Sequence, residues 1–210
     1  MFKRGWRDAQ GLKGDAPLKE TLAATLLAAA DWHGRAEDLP LFDPCCGAGT
    51  IAIEAAQIAC GIAPGLQRRF AFEKMLPFRP HQNSWSRLND AARARQHAPL
   101  VPIYAGDVSF RMVDFAQRNA DRAGVAAAIG FKTADALQRL PPTARGVMII
   151  NPPYGERIAP MGRGSERGPD TDRSARTARE GFEGGAGPAE FFSQLASHWK
   201  QHYAGWTAWC

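Results

Sequence analysis

Apolar residues recur at Leu18, Leu22, Leu26 and Ala29, a helical spacing that predicts a first helix buried on that face, with Asp15 placed as N-cap and Pro17 suited to the first turn. The run Leu39-Pro40-Leu41-Phe42-Asp43 stops at a carboxylate and a glycine loop, and Thr50 to Cys60 then reads as an alanine-rich helix closed by Gly61. The unit repeats. Val101-Pro102-Ile103-Tyr104-Ala105 leads to Asp107, and Phe110, Val113, Ala116 or Gln117, and Ala120 mark one face of a helix ending at Gly124. Ala127 to Thr133 predicts a third strand ending before Asp135. Gly146 to Ile150 predicts a fourth, running into Asn151-Pro152-Pro153-Tyr154. Ala189 to Tyr203 carries Phe191, Phe192, Leu195 and Trp199 at helical spacing, and Gly205 to Cys210 has the pattern of a fifth strand opening. Strands alternating with helices imply a parallel α/β sheet.

Two stretches break this rhythm. Residues 63–99 are rich in Arg, Pro, Phe and Trp, with a helix expected between Ser84 and Arg95, and read as an elaboration beside the sheet. Residues 159–188 are dense in Gly, Arg, Ser, Asp and Glu with almost no large apolar side chains, a composition that cannot offset the entropy of ordering and predicts a disordered loop. With 210 residues, the chain suits one domain, 1–210, ending inside its fifth strand.

A formal charge of +5 tilts the expected partner toward a polyanion. Cys45, Cys46, Cys60 and Cys210 lack paired CxxC spacing, and His33, His81, His97, His198 and His202 fall in no triad or metal-ligand spacing. Neither a disulfide framework nor a metal site is therefore expected. The charged start has no apolar run behind it and no stretch is long enough to span a membrane, which predicts a cytoplasmic protein.

In an open parallel sheet, ligands bind beyond the carboxyl ends of the strands, where Asp43, Asp107, Asp135 and the Asn-Pro-Pro-Tyr segment are expected to converge. The loop Asp43-Pro44-Cys45-Cys46-Gly47-Ala48-Gly49-Thr50 lacks the Gly-Lys-Ser/Thr ending of a phosphate-binding loop and does not match GxGxxG; its glycines permit close backbone approach by a ligand. Asp107 is suited to accept hydrogen bonds from a ribose diol and Asp135 from an adenine amine, although either alone is as readily a helix N-cap. Asn151-Pro152-Pro153-Tyr154 is the sharpest motif. An aryl amine is a poor nucleophile because its lone pair is delocalised. The Asn151 amide oxygen and the Pro152 carbonyl can accept its two protons and hold the nitrogen in line with a sulfonium methyl, and Tyr154 can stack on an extruded base.

At these residues the chain resembles the large-subunit rRNA guanine-N2 methyltransferases of the RlmL type, including relatives once labelled DNA adenine methylases. The resemblance rests on Lys3-Arg4-Gly5-Trp6-Arg7, Ala16-Pro17-Leu18-Lys19-Glu20, the Asp43 to Thr50 loop, Ala63 to Glu73 and Asn151 to Arg157. It implies a Rossmann-like class I methyltransferase sheet. Pro17 and Leu18 would line the methionine end of S-adenosyl-L-methionine. Asp43, Pro44, Cys46, Gly47, Gly49 and Thr50 would hold its amino acid, Asp107 its ribose and Asp135 its adenine, while Asn151, Pro152, Pro153 and Tyr154 would hold the target base, with Asn151 also facing the cofactor. The implied partner is 23S rRNA or a ribosomal assembly precursor. Ser109 stands where a second acid is frequent, and the THUMP-type RNA-binding domain and later strands of the family are expected outside these 210 residues. The motif alone equally suits an N6-adenine DNA methyltransferase, and a noncatalytic RNA-binding fragment using Arg68, Arg69, Arg87, Arg93 and Arg95 is the rival of a different class.

Overall fold

A computed structural model describes residues 18–152 and 188–210. The chain begins with α1 (Glu20–Ala29), β1 (Leu41–Asp43) and α2 (Thr50–Ala59), continues through 3-10 turns at Ala71–Lys74 and Leu76–His81 into α3 (Gln82–Ala94), then β2 (Ile103–Asp107) and α4 (Phe110–Ala123). A short 3-10 turn precedes β3 (Ile129–Thr133), followed by β4 (Gly146–Ile149), α5 (Pro188–His202) and β5 (Trp206–Trp209). Among the described residues the strands form one sheet in the order β3-β2-β1-β4-β5 with every pairing parallel. Order therefore reverses beside β1, the arrangement that opens a ligand crevice. The expected α/β class is the observed one.

Period-two alternation splits the strands between two apolar layers. Leu41, Ile103, Ile129, Val147 and Ile149 face one layer with Ala23 and Leu27 of α1 and Ala116 and Ala120 of α4. Phe42, Met148 and Ile150 face the other, covered by Phe191 and Leu195 of α5 and by Tyr203. The alanines of α2 are explained by crowding: the helix lies against α1, α4 and the sheet, and Ala52, Ala55, Ala56 and Ala59 are buried. Small side chains let backbones approach on several sides at once.

Several expectations shift. The buried face of α1 is Ala23 and Leu27 with Leu26 partly covered, whereas Leu22 is 48% exposed and Ala29 is exposed, so the stripe is rotated by about one residue. The helix starts at Glu20 with Lys19 as its cap, later than expected. In α4, Val113, Ala116 and Ala120 are buried as expected but Phe110, the first residue of the helix, is 75% exposed. A 3-10 turn at Ala126–Ala128 takes the place of the first residues expected in β3. Pro188, expected to close the loop, is the first residue of α5. The rest of the 159–188 loop, and Asp15, lie outside the described residues. No helix among the described residues is long and apolar enough to cross a membrane.

Candidate active site

Parallel pairing brings four strand ends to one edge. Asp43 ends β1, Asp107 ends β2, Asp135 lies two residues beyond β3 and Asn151 two beyond β4. Asp43 is 1% exposed, and its Oδ1 has no hydrogen-bond partner among the described residues. Burial pushes its carboxyl well above the usual carboxylate range; the Cys45 backbone N–H opposes this and the nearby Asp107 charge adds to it. Such a group is stabilised by a cation brought in by a ligand.

Asp107 fastens the glycine loop to β2. Its Oδ2 accepts from the Gly47 N–H at 2.9 Å and its Oδ1 from the Ser109 N–H at 3.0 Å. Burial raises its pKa, and these backbone donors counter the rise. A carboxylate has about four lone-pair sites, so Asp107 retains capacity for a ligand diol. Asp135 Oδ1 accepts from the Leu137 N–H at 2.9 Å, a turn-forming bond that leaves its other oxygen available. Structural and ligand-facing roles are compatible in both residues.

The loop is held from below. The Cys46 N–H donates to the Gly106 carbonyl at 2.8 Å and the Gly49 N–H to the Cys46 carbonyl at 2.8 Å. Gly49 has φ of 86°, and a Cβ there would lie 2.9 Å from the Ala116 Cβ, so position 49 requires glycine on both conformational and steric grounds. Thr50 then opens α2, whose N-terminal amides point toward the same edge and favour an anion. Asp43, buried at the end of β1 with no cationic side chain in ion-pair distance among the described residues, and the amide-rich start of α2 lie at the two ends of the same loop. The pair fits the ammonium and carboxylate of an amino-acid ligand.

Sequence reasoning missed Asn119. It is fully buried in α4, donates to the Ala48 carbonyl at 2.8 Å and accepts from Arg122, so it anchors the loop from the helix side. A polar residue within the apolar face of α4 was the signal available. Burial and the neighbouring acids push the Cys45 and Cys46 thiols well up, which matches packing beside the loop better than redox chemistry.

Asn151 is half-buried and Pro152 buried, following Ile150, whose N–H donates to the Trp209 carbonyl at 3.0 Å. Leu18 is half-buried and packs against the core. Pro44 sits in the turn after β1. Pro17, Pro153 and Tyr154 lie outside the described residues. A separate cavity of about 720 Å³ beside β3 is lined by Tyr104, Lys132, Asp135, Gln138 and Arg139 among others, and of the expected site residues that are described only Asp135 reaches it. Its rim is crossed by Arg139, whose guanidinium lies 4.5 Å from the centre of the Phe42 ring and donates to the Ala105 carbonyl. The Arg139 carbonyl in turn accepts from the Tyr203 hydroxyl at 2.8 Å and lies 2.8 Å from His198 Nε2. Among the described residues no three His, Cys, Asp or Glu side chains gather in a metal-ligating group.

Residues 4–168 match the model of the RMKL-like methyltransferase domain family. The chain belongs to that family. The RMKL-like domain is 44% identical over 164 residues to ribosomal RNA large subunit methyltransferase K/L of Shewanella baltica (strain OS195), covering 75% of this chain and 22% of the relative. It is 37% identical over 212 residues to the protein of the same name from Shewanella amazonensis, covering 98% and 25%. The chain thus spans about a quarter of the length of these relatives. Among solved structures, a protein named as a predicted N6-adenine-specific DNA methylase from Listeria monocytogenes str. 4b F2365 superposes with a TM-score of 0.70 at 30% identity, over 99% of this chain and 46% of that one. SMU.472, assigned as a methyltransferase and complexed with SAH, gives a TM-score of 0.64 at 34% identity, over 75% and 39%. The sheet of this RMKL-like domain is therefore of the Rossmann-like, class I methyltransferase type.

Proposed function

We propose that this domain holds S-adenosylmethionine across the carboxyl edge of its sheet and directs methylation of the exocyclic N2 of a guanine in 23S rRNA or its assembly precursor. The observation that carries the reading is the common edge. The strand leading to Asn151-Pro152 lies beside the strand that ends at Asp43, with the strand that ends at Asp107 next along the same edge, which supports an amine acceptor site close to a site for a cationic amino-acid ligand. The cofactor supplies, when bound, a methyl group on a positively charged sulfur.

Asp43 would neutralise the ligand ammonium, the start of α2 its carboxylate, Asp107 would accept from the ribose diol and Asp135 from the adenine amine. Pro17 and Leu18 would line the methionine end. Asn151 and the Pro152 carbonyl would take the two N–H bonds of the target amine and aim its nitrogen, with Pro153 keeping that carbonyl outward and Tyr154 stacking on the base. The names of the 44%-identical relatives support rRNA, as does the Arg68 to Glu73 segment by its resemblance to the family. The name of the Listeria neighbour supports the second reading, N6-adenine methylation of DNA.

Transfer of tritiated methyl from the cofactor into total rRNA of cells lacking the modification, set against an adenine-containing DNA duplex, chooses between them. Label should enter rRNA and map to guanine N2, and Asn151→Ala should reduce transfer by orders of magnitude. Asp107→Ala should weaken cofactor binding by roughly 1–3 kcal/mol in a calorimetric titration. Labelling of DNA alone overturns the preferred reading.

A further inference from the structure

The charge of this chain is concentrated in one place. Residues 63–99 hold seven basic and two acidic residues, an excess equal to the formal charge of +5 of the whole chain, so the remaining 19 basic and 19 acidic residues cancel. This segment is built as a small surface unit. Phe70, Phe72, Phe78 and Trp85 gather their rings at centroid distances of 4.8–6.4 Å, and only Ala92 in the segment is buried.

With the rings turned toward one another, the basic residues beside them in sequence are left outside. Arg69, Lys74, Arg79, Arg87, Arg93 and Arg95 are all exposed, and among the described residues no carboxylate lies within ion-pair distance of any of them. The two acids of the segment are turned to local work: Glu73 accepts from the Phe70 N–H at 2.7 Å and Asp90 from the Ser86 hydroxyl at 3.5 Å. A solvated surface mixes both signs; here one sign is left uncompensated.

The unit also has a defined place. It leaves the C-terminal end of α2 and returns to the start of β2, and it is tied there by the His97 N–H to the Cys60 carbonyl at 3.1 Å and by Gln67 Nε2 to the Ala123 carbonyl at 3.1 Å. It therefore joins the amino ends of the strands, and the length of α2, about 15 Å, separates it from the glycine loop.

We propose that residues 63–99 form a docking surface for the phosphate backbone of RNA, remote from the base being modified and indifferent to sequence. This rests on the RNA reading above. The cationic groups release counterions from the nucleic acid, which gives affinity and salt dependence without base readout.

The test uses the full chain and a 5′-labelled RNA stem-loop, followed by fluorescence anisotropy over a salt series. Replacing Arg69, Lys74, Arg79, Arg87 and Arg93 together with Gln should weaken binding at least ~tenfold at physiological salt and flatten the log–log salt slope by about 3.5–4.5 units, each neutralised contact removing about 0.7–0.9. Arg87→Gln and Arg93→Gln singly should each flatten it by about that one-contact amount. Unchanged thermal midpoints establish that these variants fold. Unaltered affinity and slope in the folded fivefold variant overturn the proposal, as does wild-type binding to phosphatidylserine vesicles in preference to the RNA. Methyl transfer separates the two ideas: label entering DNA alone, with RNA binding still lost in the variant, sinks the rRNA reading and leaves this surface standing.

Discussion

Asp43 concentrates the conflict between stability and function in one side chain. A carboxylate that is 1% exposed, with one oxygen lacking a partner among the described residues and only the Cys45 N–H offsetting its burial, is held in place largely by the fold around it. Asp43→Asn should therefore raise the thermal midpoint of the ligand-free chain, on the order of 1 kcal/mol or about 2–4 °C for a domain this size, while S-adenosylmethionine affinity falls at least tenfold. Differential scanning fluorimetry with and without the cofactor reads both effects; a variant that loses stability and keeps the ligand would contradict the assigned role. The placement of Asp43, Asp107 and Asp135 at the carboxyl ends of strands was legible in the sequence because each closes or shortly follows a strand-forming run, a local pattern. Asn119 was not, since its partner is a backbone carbonyl 71 positions away.

Elements were legible where local chemistry ends them. Gly61 and Gly124 mark the ends of α2 and α4 through left-handed backbone that other residues resist, so both boundaries came within a residue of expectation. Which face a helix buries depends on neighbours that the sequence does not display, and α1 and the first turn of α4 were misjudged for that reason. The 63–99 unit shows the same limit: its periodicity reveals one helix, and its four-ring cluster arises from segments that only meet in space. Those rings hold it together with little support from the sheet. Trp85→Ala removes edge contacts to Phe70, Phe72 and Phe78, each pair worth about 0.5–1.5 kcal/mol. Amide hydrogen exchange across residues 70–94 should accelerate markedly, with protection in β1, β2 and α2 retained; equal loss of protection in the sheet would show that the unit is not separable.

At the scale of the molecule, two buried acids at one edge make stability depend on pH in an unusual direction. Burial raises the pKa of both Asp43 and Asp107, so between the ordinary carboxylate pKa and their raised values the folded chain holds protons that the unfolded chain has released. Ligand-free stability then falls as pH rises through that window. Urea unfolding at several pH values from mildly acidic to neutral should show this decline, and the Asp43→Asn, Asp107→Asn double variant should flatten it. Stability that climbs with pH in the wild type and responds to neither substitution would exclude the carboxylates as its source. The parallel architecture was foreseeable from alternation alone. The strand order was not, because it is set by which crossover lies on which side of β1.

Gly106 precedes Asp107 in β2, and a Cβ placed on it would stand 2.2 Å from the Arg139 guanidinium. That missing methyl is a passage. Through it Arg139 reaches the Ala105 carbonyl from the same residue whose own carbonyl meets Tyr203 and His198, stitching the strand that carries Asp107 to the helix-and-strand unit that follows the Asn-Pro-Pro-Tyr segment. The two walls of the crevice are thereby tailored as one garment, and the seam is a hydrogen atom wide.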